Sequence, residues 1–355
     1  MERTALGTEE LLATLSRFAG QRLFAAVIGS PDPDGLASAW ALAFIGRNVG
    51  VTIDILTFEV VSRPDNAAFV QLLGVPFRQV RERLPRVRYA GFAVVDRQNA
   101  RLPVPCPASL PLVAHVDHHG SGRTRALFGQ QTSRAGSTST LMAQHLVAAA
   151  TKEQAESDEF SRIATALLYG IRTDTSDFLN ASALDFQASA LLAPHVSTEL
   201  MRTIALTPLG RPFMETLATA LKTAVHRNGF TVAWAGHVGR KARDTVGQSA
   251  DFLIRGEGTV ACVVFGQVNG NIVGSLRAAT AELDPYRFLE GALAAGLGFP
   301  VDCGGRMFAG GFLIPASAFG AKTEDEYRVL VTNALLDGWT RLVGVPGRRR
   351  ATRRR

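Results

Sequence analysis

Residues 111–119 read Pro-Leu-Val-Ala-His-Val-Asp-His-His, an apolar run of strand length that stops at three consecutive ionisable side chains. Runs 23–28 (LFAAVI), 51–56 (VTIDIL) and 91–95 (GFAVV) share its length and its lack of strict polar alternation. Strands of that kind are buried on both faces, as in a parallel sheet. Helical spacing marks 8–19, 36–47 and 137–150, and continues at 160–171 and 184–192. Strands alternating with helices predict an α/β domain with a parallel sheet over residues 1–200.

Beyond residue 200 the pattern changes. A helix at 214–225 falls in an expected helical linker, 201–228. Strands at 231–235, 260–264, 272–278 and 308–315, with helices at 285–295 and 324–343, predict a smaller α/β domain over 229–345. Its turns are signalled at His226-Arg-Asn-Gly229 and Asn269-Gly-Asn271. Residues 348–355 carry six Arg, so 346–355 are expected to form a disordered tail that repels itself and buries nothing. The formal charge of the chain is +7, and removing those six Arg leaves +1. A nearly neutral body lacks the extended basic surface that long nucleic acid requires. No apolar run reaches the length of about 20 residues that a membrane-spanning helix needs, and the acidic start of the chain is unlike a signal sequence. Three Cys without a CxxC pair oppose a disulfide framework and a structural zinc site. The expected location is the cytoplasm.

In an open parallel sheet, ligands gather beyond the carboxyl ends of the strands. There this chain places Asp32 and Asp34 after the first run, Asp96 after the third, and Asp117, His118 and His119 after the fourth. Thr173, Asp174 and Asp177 follow the helical stretch ALLYGI. Carboxylates brought that close repel one another unless cations neutralise them. Asp and His without thiolate suit Mn²⁺ or Mg²⁺ better than zinc. Two such cations about 3.5–4 Å apart can activate water and stabilise both oxygens in a displacement at phosphorus. The cluster therefore points to a two-metal phosphoesterase. Each piece also has a plainer reading: Asp32-Pro-Asp34-Gly35 as a turn, Asp96 or Asp174 as a helix cap. Asp-His-His at one of four acid-bearing ends is the piece that coincidence explains least.

Four stretches in order resemble the motifs of the DHH phosphoesterases: VIGSPDPDGLASAWAL (27–42), VVDRQN (94–99), HVDHHGSG (115–122) and YGIRTDTSDF (169–178). The branch of nanoRNA-degrading oligoribonucleases and pAp phosphatases is the most similar. Gly274-Ser-Leu-Arg277 and residues 303–312 (CGGRMFAGGF) resemble the two signatures of that family's C-terminal substrate-binding domain. The resemblance implies that Asp32, Asp34, Asp96, His118 and Asp174 bind two Mn²⁺ ions, with Mg²⁺ as the alternative, and that Asp96 and Asp174 are shared. It implies a catalytic set of Asp96, His118, His119 and Asp174, with His119 beside the scissile phosphate. Arg277, Gly304, Gly305 and Arg306 would hold the distal phosphate and nucleoside, and Asp117 would orient His118 or close its turn. The implied substrates are short oligonucleotides, dinucleotides or pAp, bound in a cleft between the domains. Short nucleic acid or a nucleotide is thus the implied partner, a membrane is not, and a homodimer is left open.

The chain departs from the family pattern at two points. Many relatives carry a metal-binding His four residues before the first Asp, where this chain has Ile28. Cys303 and Arg306 replace the first Gly and the His of a Gly-Gly-Gly-His signature. Two alternatives stay open on that account: a nucleotide-binding module without catalysis, and a pyrophosphatase or polyphosphatase. His115 and His145 are expected to pack in the core, and residues 137–140 to cap a helix, with exposure of their amides to substrate as the lesser alternative. His195, His226 and His237 have no company that suggests a site.

Overall fold

In a computed structural model of the chain, residues 2–61, 63–120, 125–306 and 308–343 are described. Ser121 and Gly122 of the third motif, the Arg306 side chain and the Arg-rich tail lie outside the described residues. The chain divides into two compact units, Met1–Thr207 and Pro208–Arg355.

The first unit is built on β1 (Arg22–Val27), β2 (Thr52–Thr57), β3 (Phe77–Gln79), β4 (Gly91–Val95), β5 (Leu112–Asp117) and β6 (Phe128–Gln131). Its helices are α1 (Glu2–Ser16), α2 (Pro33–Arg47), α3 (Pro64–Leu73), α4 (Thr138–Ala149), α5 (Lys152–Ala155), α6 (Asp158–Asp174), α7 (Ala183–Leu192) and α8 (Thr198–Ala205). The strands form one parallel sheet in the order β3-β2-β1-β4-β5-β6. The chain builds outward from β1 through β3, then returns to the other side of β1 with β4. That reversal makes β1 and β4 the switch point, where a crevice opens at the carboxyl ends.

β1 shows why its run lacks polar alternation. Leu23, Ala25 and Val27 enter one apolar core, while Phe24 and Ala26 enter another on the opposite face. Helices cover the first face, and α2 lies deepest, with residues 33–46 all buried. The opposite face is covered by irregular connections through Leu84, Tyr89, Leu102, Val104 and Leu110. Helix starts follow capping chemistry: Asp32 accepts from Gly35 N at 3.0 Å ahead of Pro33, and Ser137 and Ser157 do the same for α4 and α6.

The second unit contains α9 (Arg211–Thr223), β7 (Val225–Arg227), β8 (Phe230–Val238), α10 (Thr245–Leu253), β9 (Ala261–Val268) and β10 (Asn271–Ala278). It continues with α11 (Pro285–Leu297), β11 (Asp302–Arg306), β12 (Ala309–Pro315) and α12 (Glu324–Val343). The sheet order is β11-β12-β10-β9-β8-β7, antiparallel except for β8 beside β9. Phe230, Trp234 and Phe265 pack under α11 and α12, whereas Ala233 and Val264 pack under α9 and α10. The stretch expected as a linker is divided between the units: Ile204 of α8 is buried in the first core, and Phe213, Leu217 and Ala220 of α9 in the second. No described helix is long and apolar enough to cross a membrane.

One glycine sets how closely three helices meet. A Cβ at Gly170 on α6 would lie 2.5 Å from Ser139 Oγ and 3.1 Å from Asp34 Cα. α6 therefore reaches the first turns of α2 and α4 only because position 170 has no side chain. Gly170→Ala is expected to lower stability by about 1–3 kcal/mol through overpacking, read as a lower urea midpoint. An unchanged midpoint would show that the three helices are not packed this tightly.

Candidate metal centre

Asp34 lies in the first turn of α2 and is 1% exposed. Its carboxylate accepts from Thr138 N at 2.8 Å and Ser139 N at 2.6 Å. These are amides that a helix N-terminus leaves unpaired, at the positive end of the α4 dipole. The Thr138 and Ser139 amides are thus taken by Asp34, and residues 137–140 act as a cap and brace. The Thr138 hydroxyl also donates to Asp96 Oδ1 at 3.2 Å.

Asp96 follows β4 with φ 55°, in the left-handed region that Asp tolerates better than most residues. Its carboxylate turns toward Gly35, where a Cβ would stand 3.3 Å from Asp96 Oδ2 and 3.5 Å from Asp32 Oδ1. Asp174 is the last residue of α6, at the negative end of the helix dipole, so it is no N-cap and sits where an acid is disfavoured. Its partner is His118, whose Nε2 is 3.0 Å from Asp174 Oδ2 and 3.5 Å from Asp96 Oδ1.

His119 Nδ1 lies 2.7 Å from Asp117 Oδ1 and 3.8 Å from Asp96 Oδ1. Fully buried Asp117 therefore orients His119, correcting the expectation that it serves His118. The reason is geometric: β5 ends at Asp117, and the side chain two positions on curls back beside it. Ligand atoms of Asp34, His118 and Asp174 lie within 4.8 Å of one another, and so do those of Asp96, His118 and His119. Asp32 is in neither group; it caps α2 and meets Asp96 across Gly35.

The electrostatics show an excess of negative charge. Burial, then the charges of Asp174 and Asp32, pushes the Asp34 carboxyl up to about 7. Burial and the charges of Asp34, Asp32 and Asp174 hold Asp96 well above the usual carboxylate range. Burial works against a charged His118, but the hydrogen bond to Asp174 and the charge of Asp34 outweigh it and raise the imidazole to about 9. With their protons displaced, these carboxylates and the imidazole form a set of hard oxygen and nitrogen donors that fits divalent cations.

The other sequence-predicted residues divide. Arg277 on β10 is held by Asp251 Oδ1 at 2.5 Å, Ser275 Oγ at 2.8 Å and the Leu276 carbonyl at 2.9 Å. Gly304 and Gly305 lie in β11, not in a loop, and a Cβ at Gly305 would stand 3.0 Å from Tyr286 N, so that glycine admits the start of α11. Ile28 packs against the second apolar core of the sheet. His145 is buried between Thr8 Oγ1 and Gln130 Oε1, and burial pushes it down to about 4. His115 is buried too, but it also donates from Nε2 to the Arg97 carbonyl at 2.7 Å. His195 lies edge-on to Phe160, His226 bonds Thr231, and His237 contacts Glu324.

Sequence reasoning missed Asp185. It is fully buried at the start of α7 and accepts from Gly136 N, Thr140 Oγ1 and Ser182 N, bracing the loop that leads into α4.

No family model matches the chain. An uncharacterized protein of Methanocaldococcus jannaschii is 29% identical over 320 residues, covering 89% of this chain and 63% of that protein. The chain thus spans less than two thirds of that relative's length. An exopolyphosphatase-related protein of Bacteroides fragilis has a similar structure, with a TM-score of 0.63, 12% identity, and coverage of 95% of this chain and 97% of that one. A structure of the exonuclease RecJ bound to manganese covers 94% of each chain at 14% identity, with a TM-score of 0.48. The likeness to the Bacteroides fragilis structure is one of fold, and the α/β architecture with a parallel sheet in the first unit and a second, mixed sheet is the one that the four motifs imply.

The two raised groups give the metal-free protein one sign of pH dependence. Unfolded Asp34 releases its proton near 3.8 but folded Asp34 keeps it to about 7, so the stability it contributes falls as pH rises across that interval. His118, raised from 6.5 to about 9, contributes stability that is lost as pH rises through the folded value. Cations would replace those protons, so Mn²⁺ is expected to raise the melting temperature more at about pH 8.5 than at about pH 6. Asp96→Asn is expected to raise the metal-free melting temperature by about 2–4 °C and to shrink the Mn²⁺ increment. An increment independent of pH and equal in the variant would separate this cluster from the metal.

Proposed function

We propose that the chain is a divalent-metal-dependent phosphoesterase that hydrolyses short nucleotide substrates: dinucleotides, short oligonucleotides or pAp. One observation carries this reading. Asp34, Asp96, His118, His119 and Asp174 come from four separate segments and meet at the carboxyl edge of a parallel sheet.

Asp34, Asp96, His118 and Asp174 would hold two ions, Mn²⁺ with Mg²⁺ as the alternative, and Asp32 stands next to them. Ions bound there would neutralise the carboxylates, acidify water and draw charge from a phosphoryl group. The residues of the chain do the rest. The α4 amides hold both oxygens of Asp34, so that carboxylate would meet an ion as a ligand already oriented. His119 spends Nδ1 on Asp117, which fixes the ring and leaves Nε2 to meet a substrate oxygen. On the second unit, Arg277 would hold a further phosphate by sharing or exchanging its bond to Asp251.

The test is turnover of a panel with Mn²⁺: pAp, a dinucleotide, a short RNA, short single-stranded DNA, pyrophosphate and bis-p-nitrophenyl phosphate. Turnover of a dinucleotide or pAp is expected, falling by orders of magnitude in folded Asp96→Asn and Asp174→Asn. Turnover of pyrophosphate alone would make the chain a pyrophosphatase, and turnover of nothing would leave a binding module. Arg277→Ala is expected to raise KM for the dinucleotide far more than for bis-p-nitrophenyl phosphate, since it removes remote binding energy. Equal losses on both would remove Arg277 from substrate recognition.

A further inference from the structure

β4 ends beside β1 at the switch point, and the two residues that follow it go to different places. Asp96 turns its carboxylate to Gly35, as described above. Arg97 instead lies over Gly29 at the exit of β1, where a Cβ would stand 3.4 Å from the Arg97 guanidinium Nη1. Gly29 has φ 95°, a conformation that other residues rarely adopt, so this floor beneath the guanidinium is reserved for glycine.

The position of Arg97 is built by the sheet. The Asp96 amide donates to the Val116 carbonyl at 3.0 Å, and fully buried His115 donates to the Arg97 carbonyl at 2.7 Å. Two bonds from β5 thus pin the backbone that launches the side chain. Arg97 as a residue is exposed. Some arginines of the chain are paired, such as Arg277 with Asp251, Arg172 with Asp177 and Arg63 with Asp65. Among the described residues Arg97 pairs with no carboxylate and its side chain donates no hydrogen bond, although Asp96 is its neighbour in the chain. A guanidinium left unpaired at the mouth of an acidic crevice keeps its five N–H donors for an incoming anion.

We propose that Arg97 binds a phosphate of the substrate on the first unit, next to the candidate metal centre but not in it. The phosphate is a neighbour of the scissile one: a guanidinium close enough to grip the scissile group would also reach the carboxylates that hold the ions, and it pairs with none of them. Arg97 thereby favours nucleotides that carry a second phosphate near the cleaved bond. The proposal rests on the phosphoesterase reading for its substrate, but its test does not need turnover.

The experiment compares a dinucleotide with and without a terminal phosphate, in Mn²⁺, on the full chain. Binding is read by calorimetry with a phosphorothioate linkage, and kcat/KM with the natural one. The wild type is expected to prefer the phosphorylated form, and Arg97→Ala to reduce that preference about tenfold or more, as loss of a hydrogen bond to a charged group predicts. Arg97→Lys is expected to restore part of it, since Lys keeps the charge without the planar fork. Loss of the preference in binding supports the proposal even where no substrate turns over, an outcome that would sink the phosphoesterase reading alone. A preference equal in wild type and Arg97→Ala, or none in the wild type, overturns the proposal. Equal losses on both dinucleotides, with scissile-only bis-p-nitrophenyl phosphate losing as much, would move Arg97 to the scissile phosphate and overturn it likewise.

Discussion

The bond between the Asp34 carboxylate and the first amides of α4 organises the first unit. A buried carboxylate is costly unless it is hydrogen-bonded, and here two N–H groups at a positive helix end meet both oxygens. That one contact joins the start of α2 to the start of α4. α6 packs against the joint through Gly170, and the Thr138 hydroxyl carries it on to Asp96. Asp185 braces the loop behind it through Gly136 and Thr140. Asp34 is thus held by a helix end, while His118 and Asp174 also hold one another.

That support is needed because the site breaks local rules. Asp174 stands at the wrong end of its helix for an acid, and Ser176, Asp177 and Phe178 just after it all have positive φ. Asp96 adds another left-handed residue. Departures of this kind concentrate where structure serves something other than stability. The raised carboxyls of Asp34 and Asp96 tell the same story: the unit folds around a surplus of negative charge that protons, or cations in their place, would relieve.

The long elements were legible in the sequence because burial wrote itself into them. The runs at 23–28 and 91–95 have both faces covered, and α12 occupies the same residues, 324–343, as its periodicity predicts. β3 (FRQ) and β6 (FGQQ) left no such mark, since they are short edge strands with mostly exposed or half-buried side chains. The candidate ligands were legible for the same reason as the strands, standing where apolar runs stop. Their partners were not. Asp117 serves the histidine two positions on, and Asp185 reaches Gly136 across 49 residues, pairings that follow from how elements meet. Arg277 was readable as a cation but not as the partner of Asp251, which comes from a helix the sequence did not announce.

The segment Asp32-Pro-Asp34-Gly35 shows how a turn and a site can be one object. Asp32, with extended backbone at φ −117° and ψ 172°, caps α2, and Pro33 starts the helix with a pre-set φ. One residue into the helix, Asp34 no longer addresses its own helix and crosses to α4 instead. Capping chemistry thus separates two carboxylates that sequence spacing makes look equivalent, and Gly35 opens the space where Asp32 meets Asp96. Ile28 fits the same scheme. Its side chain belongs to the second core of the sheet, on the side away from α2 and α4. The contacts that hold Asp34, Asp96, His118 and Asp174 come from α2, α4, α6 and the ends of β4 and β5, whereas Ile28 packs in the second core.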